Sequence, residues 1–443
     1  MTSNDVASNV AAKAGSACPI TGLGAEFDPF DPAYVADPYP WFHRARHEEP
    51  VFYSPEIDRY VVTRYSDIKN ILTDTESWSA DIVTELVTPL YESTMAEFAQ
   101  GSAIQYLTGP TLVNEDGPQH TLRRKRLMPS FSPKALAALE PQIRTSVNEY
   151  ISKFVKKGRA DLVDDFVWEL PVRVLFTFMG IPEADAHYVK EFSAERAVFS
   201  WGRPDEQQQN KIAQEVNRFA EFCEHHIARQ RANPGNDLAS EFVKFNQEEP
   251  ELFPDIMPYS YMINFMFAGH ETTTSAAASM FRHLLENRPQ WEAVCRQPEL
   301  IPKAVEETLR QSPSLVAWHR RALKPMEVGG VSIPENGKAL IVLGSANHDE
   351  EVFGDNSEEF DISRPNANRH LAFGFGKHTC LGAPLARMEL RVFLEETTRR
   401  LPHLRLVENQ KWEFNPNVSF RGGPRHVLVE WDPDANPFAQ DRP

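Results

Sequence analysis

One cysteine, Cys380, constrains this chain more than any other residue, because of the loop that carries it. The segment from His370 to Gly382 reads HLAFGFGKHTCLG. Good helix formers follow from Ala383 to Glu389, with apolar residues at Leu385, Met388 and Val392. A glycine-rich loop thus delivers a sulfur to the start of a predicted helix, where backbone N–H groups and the helix dipole favour a thiolate. A thiolate so held suits a soft metal centre. Glycines at 374, 376 and 382 let the backbone turn sharply and approach a flat group. A buried structural cysteine is the plainer alternative, and it leaves the surrounding pattern unexplained.

That pattern, F-x-x-G-x-x-x-C-x-G, is met by Phe373, Gly376, Cys380 and Gly382. It resembles the haem-binding loop of the cytochrome P450 family, in which one thiolate ligand pushes electron density toward O–O cleavage. The resemblance implies haem b with Cys380 as its metal ligand, and Phe373, Gly374, His378 and Gly382 in contact with the cofactor. His378 would meet a haem propionate.

Further motifs stand in the order that the resemblance requires. Asp116, Pro118, His120 and Arg124 match D-x-P-x-H-x-x-x-R at a predicted helix start, and His120 and Arg124 share a face at i, i+4. In the family such a pair contacts haem propionates. Arg123, Lys125 and Arg126 complete a positive run that could steer an acidic electron donor. Residues Ala268, Gly269, Glu271 and Thr272 match A-G-x-D/E-T within a helix expected from Asp255 to about Glu286. Gly269 is expected to leave room beside the iron. Glu271 and Thr272 inherit the acid–alcohol pair that delivers protons to dioxygen. Glu307 and Arg310 form E-x-x-R and, with Arg364 from F-x-x-x-R, are expected to support the Cys loop structurally. Arg320 matches R-x-A as a propionate contact; Arg321 stays open, since a one-residue slip would exchange them. The pocket is assigned to Asn264, Phe267, Leu315, Val316, Ala317, Val418 and Phe420, which favours an uncharged apolar or aromatic substrate.

Composition excludes other classes. A net charge of −17 disfavours nucleic-acid binding. The cysteines at 18, 223, 295 and 380 show no CxxC pairing, so neither a disulfide framework nor a zinc ribbon is expected. Cys223, His225 and His226 point about 100° apart per residue on a helix and do not converge on one ion. No basic-then-apolar leader and no run of ~18 apolar residues is present, so a cytoplasmic protein without membrane association is expected.

Residues 1–25 are read as a flexible tail, 26–431 as one haem-binding monooxygenase domain, and 432–443 as a tail or linker. Val51 to Tyr53 and Tyr60 to Thr63 read as a hairpin. From Trp78 to Val113 periodicity is lost, as in a long loop over a pocket. The segment from Asn415 to Gly422 reads as a hairpin whose tip enters the pocket, and its wording resembles haem domains of self-sufficient bacterial members fused to a flavin and 2Fe–2S reductase.

The fold implied is mostly α with a small β region, the cytochrome P450 fold, with haem between the long helix and the Cys loop. The activity implied is insertion of one oxygen atom of O2 into a small organic substrate, by hydroxylation or O-dealkylation. Electrons would come from NAD(P)H through a reductase domain or ferredoxin outside this chain. A hydrogen-peroxide-driven peroxygenase, a haem-thiolate isomerase or dehydratase, and a haem-thiolate gas sensor remain alternatives.

Overall fold

The computed structural model describes residues 22–185 and 196–435. Seven helices position the site: α1 (Gly117–Leu127), α2 (Glu140–Phe154), α3 (Glu169–Met179), α4 (Glu206–Ala232), α5 (Met257–Glu286), α6 (Ile301–Gln311) and α7 (Ala383–Arg400). The central one is α5, whose 30 residues span about 45 Å. It is buried over most of its circumference, so its residues carry few charges, and α3, α4, α6 and α7 pack around it. Local signals set the boundaries of its neighbours. A capping box between Asp205 and Gln208 opens α4, and such caps contribute about 1 kcal/mol. Gly180, at φ +66°, closes α3 in the left-handed conformation that glycine adopts without strain.

The β region is small. One sheet has the order β1 (Val51–Ser54), β2 (Arg59–Val62), β8 (Lys338–Ile341), β5 (Trp318–Ala322), β3 (Trp78–Ser79), with β2 and β8 parallel. A second joins β4 (Arg159–Asp161), β10 (Leu428–Glu430) and β9 (Arg405–Leu406), and a third pairs β6 (Met326–Val328) with β7 (Val331–Ile333). In β5 the register places Arg320 opposite Ala339 and Trp318 opposite Ile341. The strand period of two therefore sends Trp318 and Arg320 to one face, and His319 and Arg321 to the other.

The mostly α architecture with a small β region agrees with the sequence, and three local expectations change. The stretch from Trp78 to Val113 is not one loop: Glu92–Phe98 and Ala103–Thr108 are helical. They are too short to show a period. The segment from Asn415 to Gly422 is a turn held by side chains rather than a strand hairpin. Asn417 Oδ1 accepts from the backbone of Ser419 and Phe420, and the only ladder element among the described residues there is a bridge to Gly202. Gly22–Glu26 is helical and buries Leu23, so the tail expected over 1–25 is ordered from Gly22; its earlier part lies outside the described residues. Residues 436–443 of the linker-like end also lie outside them. As expected for neighbours on one helix, Glu224 and His226 diverge, to the Ser102 and Tyr106 hydroxyls and to the Met179 carbonyl respectively.

Candidate active site

The Cys loop is shaped by its glycines. Gly374 and Gly376 have φ of +68° and +74°, and a Cβ on Gly376 would lie 2.8 Å from the Leu72 carbonyl oxygen. No other residue type fits there without moving the backbone of a neighbouring helix. The Cys380 N–H donates to the Phe373 carbonyl at 2.8 Å, which folds the loop back on itself. Its thiol then faces the N–H groups of Gly382 and Ala383 at the start of α7. Burial pushes the thiol pKa up, while those two N–H groups and the Arg124 and Arg387 cations pull it back only in part. A metal cation at the sulfur would supply the difference.

The loop is braced from two sides. Glu307 accepts from Arg310 Nε and Nη2 at 2.8 Å each, from Arg364 Nε at 3.2 Å and from the Asp361 N–H at 2.9 Å. Both Glu307 and Arg310 are 0% exposed. Arg310 also donates to the Asn347 carbonyl, and the Asn347 side chain accepts from the Leu371 N–H at the head of the loop. This chain of bonds links the buried charges to the cysteine segment. On the other side, Arg387 clamps Glu306 through two bonds of 2.6 and 2.9 Å and lies over the Phe373 ring at 4.7 Å.

Basic groups without acidic partners gather at one edge of the loop. Arg124 donates to the Thr379 carbonyl and Arg320 to the His319 carbonyl, and neither forms an ion pair with a carboxylate among the described residues. Burial lowers both guanidinium pKa values, that of Arg320 to about 10, with Asp116 opposing the shift at Arg320. His120 is buried, and its Nε2 meets no hydrogen-bond partner. Burial, then the nearby His378 and Arg124, lower its pKa to about 4, so the ring is neutral. Arg321, by contrast, is spent on Asp81 and Asn336 at the surface. The strand face thus separates the two candidates.

His378 stacks on His120 with ring centres 4.3 Å apart, and its own nitrogens meet the Leu112 carbonyl and the Asp116 carboxylate at 3.2 and 3.1 Å. As it stands, it offers an outside anion no free nitrogen. Asp116, not singled out in the sequence for this, anchors the pair. Burial would raise its pKa, but bonds from His378 and Ser79 carry it down to about 2.

On α5 the burial pattern marks one face. Ala268 is exposed in the middle of a helix whose neighbours are largely buried, and Asn264 and Thr272, one turn either side, are partly accessible. Thr272 Oγ1 donates to the Ala268 carbonyl at 2.7 Å, which leaves its oxygen lone pairs turned outward. Glu271 is only 5% exposed, so it does not face bulk solvent. Gly269 departs from expectation. A Cβ there would lie 2.7 Å from Leu175 Cδ2, so the glycine permits close packing of α5 on α3, about 100° around the helix from Ala268.

Of the expected pocket residues, Val316, Ala317, Val418 and Phe420 are buried, while Phe267 and Leu315 are partly accessible. All but Val316 belong to one apolar cluster, which also contains Trp201 and Trp318. Val316 is tied to the turn by its N–H bond to the Ser419 carbonyl. Trp201 lies 6.3 Å from Phe267 and 5.6 Å from Trp318 between ring centres, and its carbonyl accepts from the Val418 N–H. Both tryptophans escaped sequence reasoning. For Trp318 the signal was available, since it shares a strand face with Arg320.

The cytochrome P450 family model matches residues 91–422. The chain belongs to the cytochrome P450 family. It is 32% identical over 375 residues to a putative cytochrome P450, YjiB, of Bacillus subtilis, covering 84% of this chain and 89% of that protein. Among solved structures it is similar to an intact type IV self-sufficient cytochrome P450 monooxygenase, with TM-score 0.91 and 43% identity over 98% of this chain. The match spans 56% of that longer chain. It is also similar to cytochrome P450 CREJ in complex with (4-ethylphenyl) dihydrogen phosphate, with TM-score 0.87 and 36% identity over 92% of this chain and 100% of that one.

Membership of the P450 family brings haem and the use of O2. The residues present fit that cofactor. Two guanidinium groups without carboxylates and a buried imidazole nitrogen without a partner suit two propionates, and leaving such groups unmet would cost about 1–3 kcal/mol each. No helix among the described residues is long and apolar enough to cross a membrane.

The positive run on α1 does not form one patch. Arg123 is buried against Glu115 and the Leu252 carbonyl, and Arg126 pairs with Glu248 and Glu249 at 2.9 and 2.8 Å. Only Lys125 of the three is exposed without an ion pair among the described residues.

Proposed function

We propose that this cytochrome P450 inserts one oxygen atom of O2 into a small, uncharged aromatic or apolar compound, by hydroxylation or O-dealkylation. The observation that carries this substrate class is the ring cluster in which Phe267, flanking the accessible face of α5, meets Trp201 and through it Trp318. An unpaired ligand charge there would pay a large desolvation cost. The aryl phosphate bound by the CREJ relative supports an aromatic ring in the pocket, though not the phosphate.

Bound haem supplies the activation of dioxygen at an iron held by one thiolate. Cys380 would be that ligand, with Phe373, Gly374 and Gly382 shaping the loop that presents it. Arg124, Arg320 and His120 would hold the propionates. Thr272 would orient a proton donor through its outward lone pairs, and Glu271, buried one residue away, would pass protons inward. The single-domain reading, 26–431, places all of these in one unit. Electrons would come from NAD(P)H through a reductase with flavin and 2Fe–2S centres, fused or separate, or through a ferredoxin. Its contact would use Lys125, Lys377 and the exposed Phe375, whose ring carries the Lys69 ammonium at 4.6 Å.

The test is turnover. Haem-loaded protein with a supplied reductase and NADH or NADPH should convert a neutral alkylbenzene or aryl ether into one hydroxylated or dealkylated product, with 18O2 label incorporated in the hydroxylated case. Product formed only with hydrogen peroxide would move the reading to a peroxygenase. Turnover of charged aryl compounds alone would overturn the substrate class.

A further inference from the structure

Asn264 stands one turn before Ala268 on the accessible stripe of α5. Its Nδ2 donates to the Ser260 carbonyl at 2.8 Å. This bond decides which way the amide is turned, because a carbonyl can only accept and the nitrogen has to face it. Oδ1 is thereby directed off the helix backbone, and no described group donates to it. At 100° per residue, Asn264, Ala268 and Glu271 lie within a narrow sector, with Phe267 at its flank. The stripe thus presents an amide oxygen about 6 Å along the axis from the Ala268 methyl, with the Phe267 ring at its flank and the buried Glu271 beyond Ala268.

An acceptor in such a place discriminates sharply. Against an apolar ligand it is stripped of water and receives nothing in return; against a hydroxyl or N–H it is satisfied. We propose that Asn264 Oδ1 anchors the substrate, and that the preferred ligands are single-ring aromatics with a hydrogen-bond donor opposite the carbon presented beside Ala268. A para-alkylphenol meets that description, with its hydroxyl on Asn264 and its alkyl chain toward Ala268. Aryl ethers and alkylbenzenes of the same shape lack the donor. The inference rests on the small-aromatic reading of the pocket and adds polarity and orientation to it.

Ferric haem-loaded protein would be titrated with 4-propylphenol, 4-propylanisole and 4-propyltoluene, following the low- to high-spin change in the optical spectrum. The phenol should bind roughly 3- to 10-fold more tightly than the anisole, the range expected for one neutral hydrogen bond. In Asn264→Leu, which keeps size and helix propensity, that ratio should fall to about one while the toluene gains affinity. The parent ratio needs no variant, so a poorly folding variant would not shield the idea. Equal affinities in the parent, or a ratio that survives in Asn264→Leu, would overturn the role of Asn264 and leave the aromatic pocket standing. No spin change with any of the three compounds would overturn both.

Discussion

Glu389→Gln should stabilise the protein at neutral pH and lose that advantage in acid. Glu389 lies on α7 at 2% exposure, next to the core residues Leu390 and Val392, and its Oε2 meets no hydrogen-bond partner. Burial alone pushes its pKa well above the usual carboxylate range. The folded protein therefore keeps a proton on this group to higher pH than the unfolded chain, whose pKa is near 4.3. Since the folded state binds one more proton, stability falls as pH rises, by about 1.4 kcal/mol per unit from the unfolded pKa up to the folded one. From the unfolded pKa upward the parent should lose stability that the Gln variant keeps, at a slope of up to about 1.4 kcal/mol per pH unit. Urea unfolding of both haem-loaded proteins at three pH values above the unfolded pKa, followed by far-ultraviolet circular dichroism, gives the difference directly. Subtraction cancels every other titrating group, and any packing effect of the amide enters as a constant offset. A difference that stays flat across those pH values would show that Glu389 is ionised in the folded state and would refute the reasoning.

Glu307→Ala should cost at least about 3–5 kcal/mol and lower haem retention, because it strands Arg310 and Arg364 in the core; denaturant midpoints and the haem-to-protein absorbance ratio report it. Arg320→Leu should weaken haem binding in a transfer assay to apomyoglobin, whereas Arg321→Leu, at the surface, should change it little; the reverse order would mean the strand faces are misassigned. Thr272→Ala should bind substrate normally but release more hydrogen peroxide per NAD(P)H consumed, and Glu271→Gln should slow the whole cycle. Unchanged coupling and rate in both would remove the pair from proton delivery.

The parts legible in the sequence are those in which a rare conformation demands a residue type. Gly374 and Gly376 sit at positive φ, and Gly376 abuts a carbonyl, so the loop that presents Cys380 could be recognised from spacing alone. The Glu307, Arg310 and Arg364 cluster was legible only through the resemblance, since E-x-x-R alone reads equally well as an exposed i, i+3 ion pair. What could not be read were facts of phase and of distance along the chain. Arg320 and Arg321 differ by one step in a strand, and only the register against Ala339 separates them. Trp201 and Trp318 are more than a hundred residues apart, and nothing local says that their rings meet.

Gly269 and Arg123 depart from expectation for reasons of helix phase. Gly269 was expected to open space beside the iron and Arg123 to face outward, yet one step on a helix turns a side chain by about 100°. If Ala268 faces the pocket, Gly269 cannot, and its missing Cβ serves the packing on Leu175 instead. If His120 and Arg124 face the propionate edge, Arg123 turns away to Glu115. The same rule places Asn264 with Ala268 rather than beside it. At these two positions the residues three or four apart share the face, and the one between them meets a different neighbour, Leu175 for Gly269 and Glu115 for Arg123.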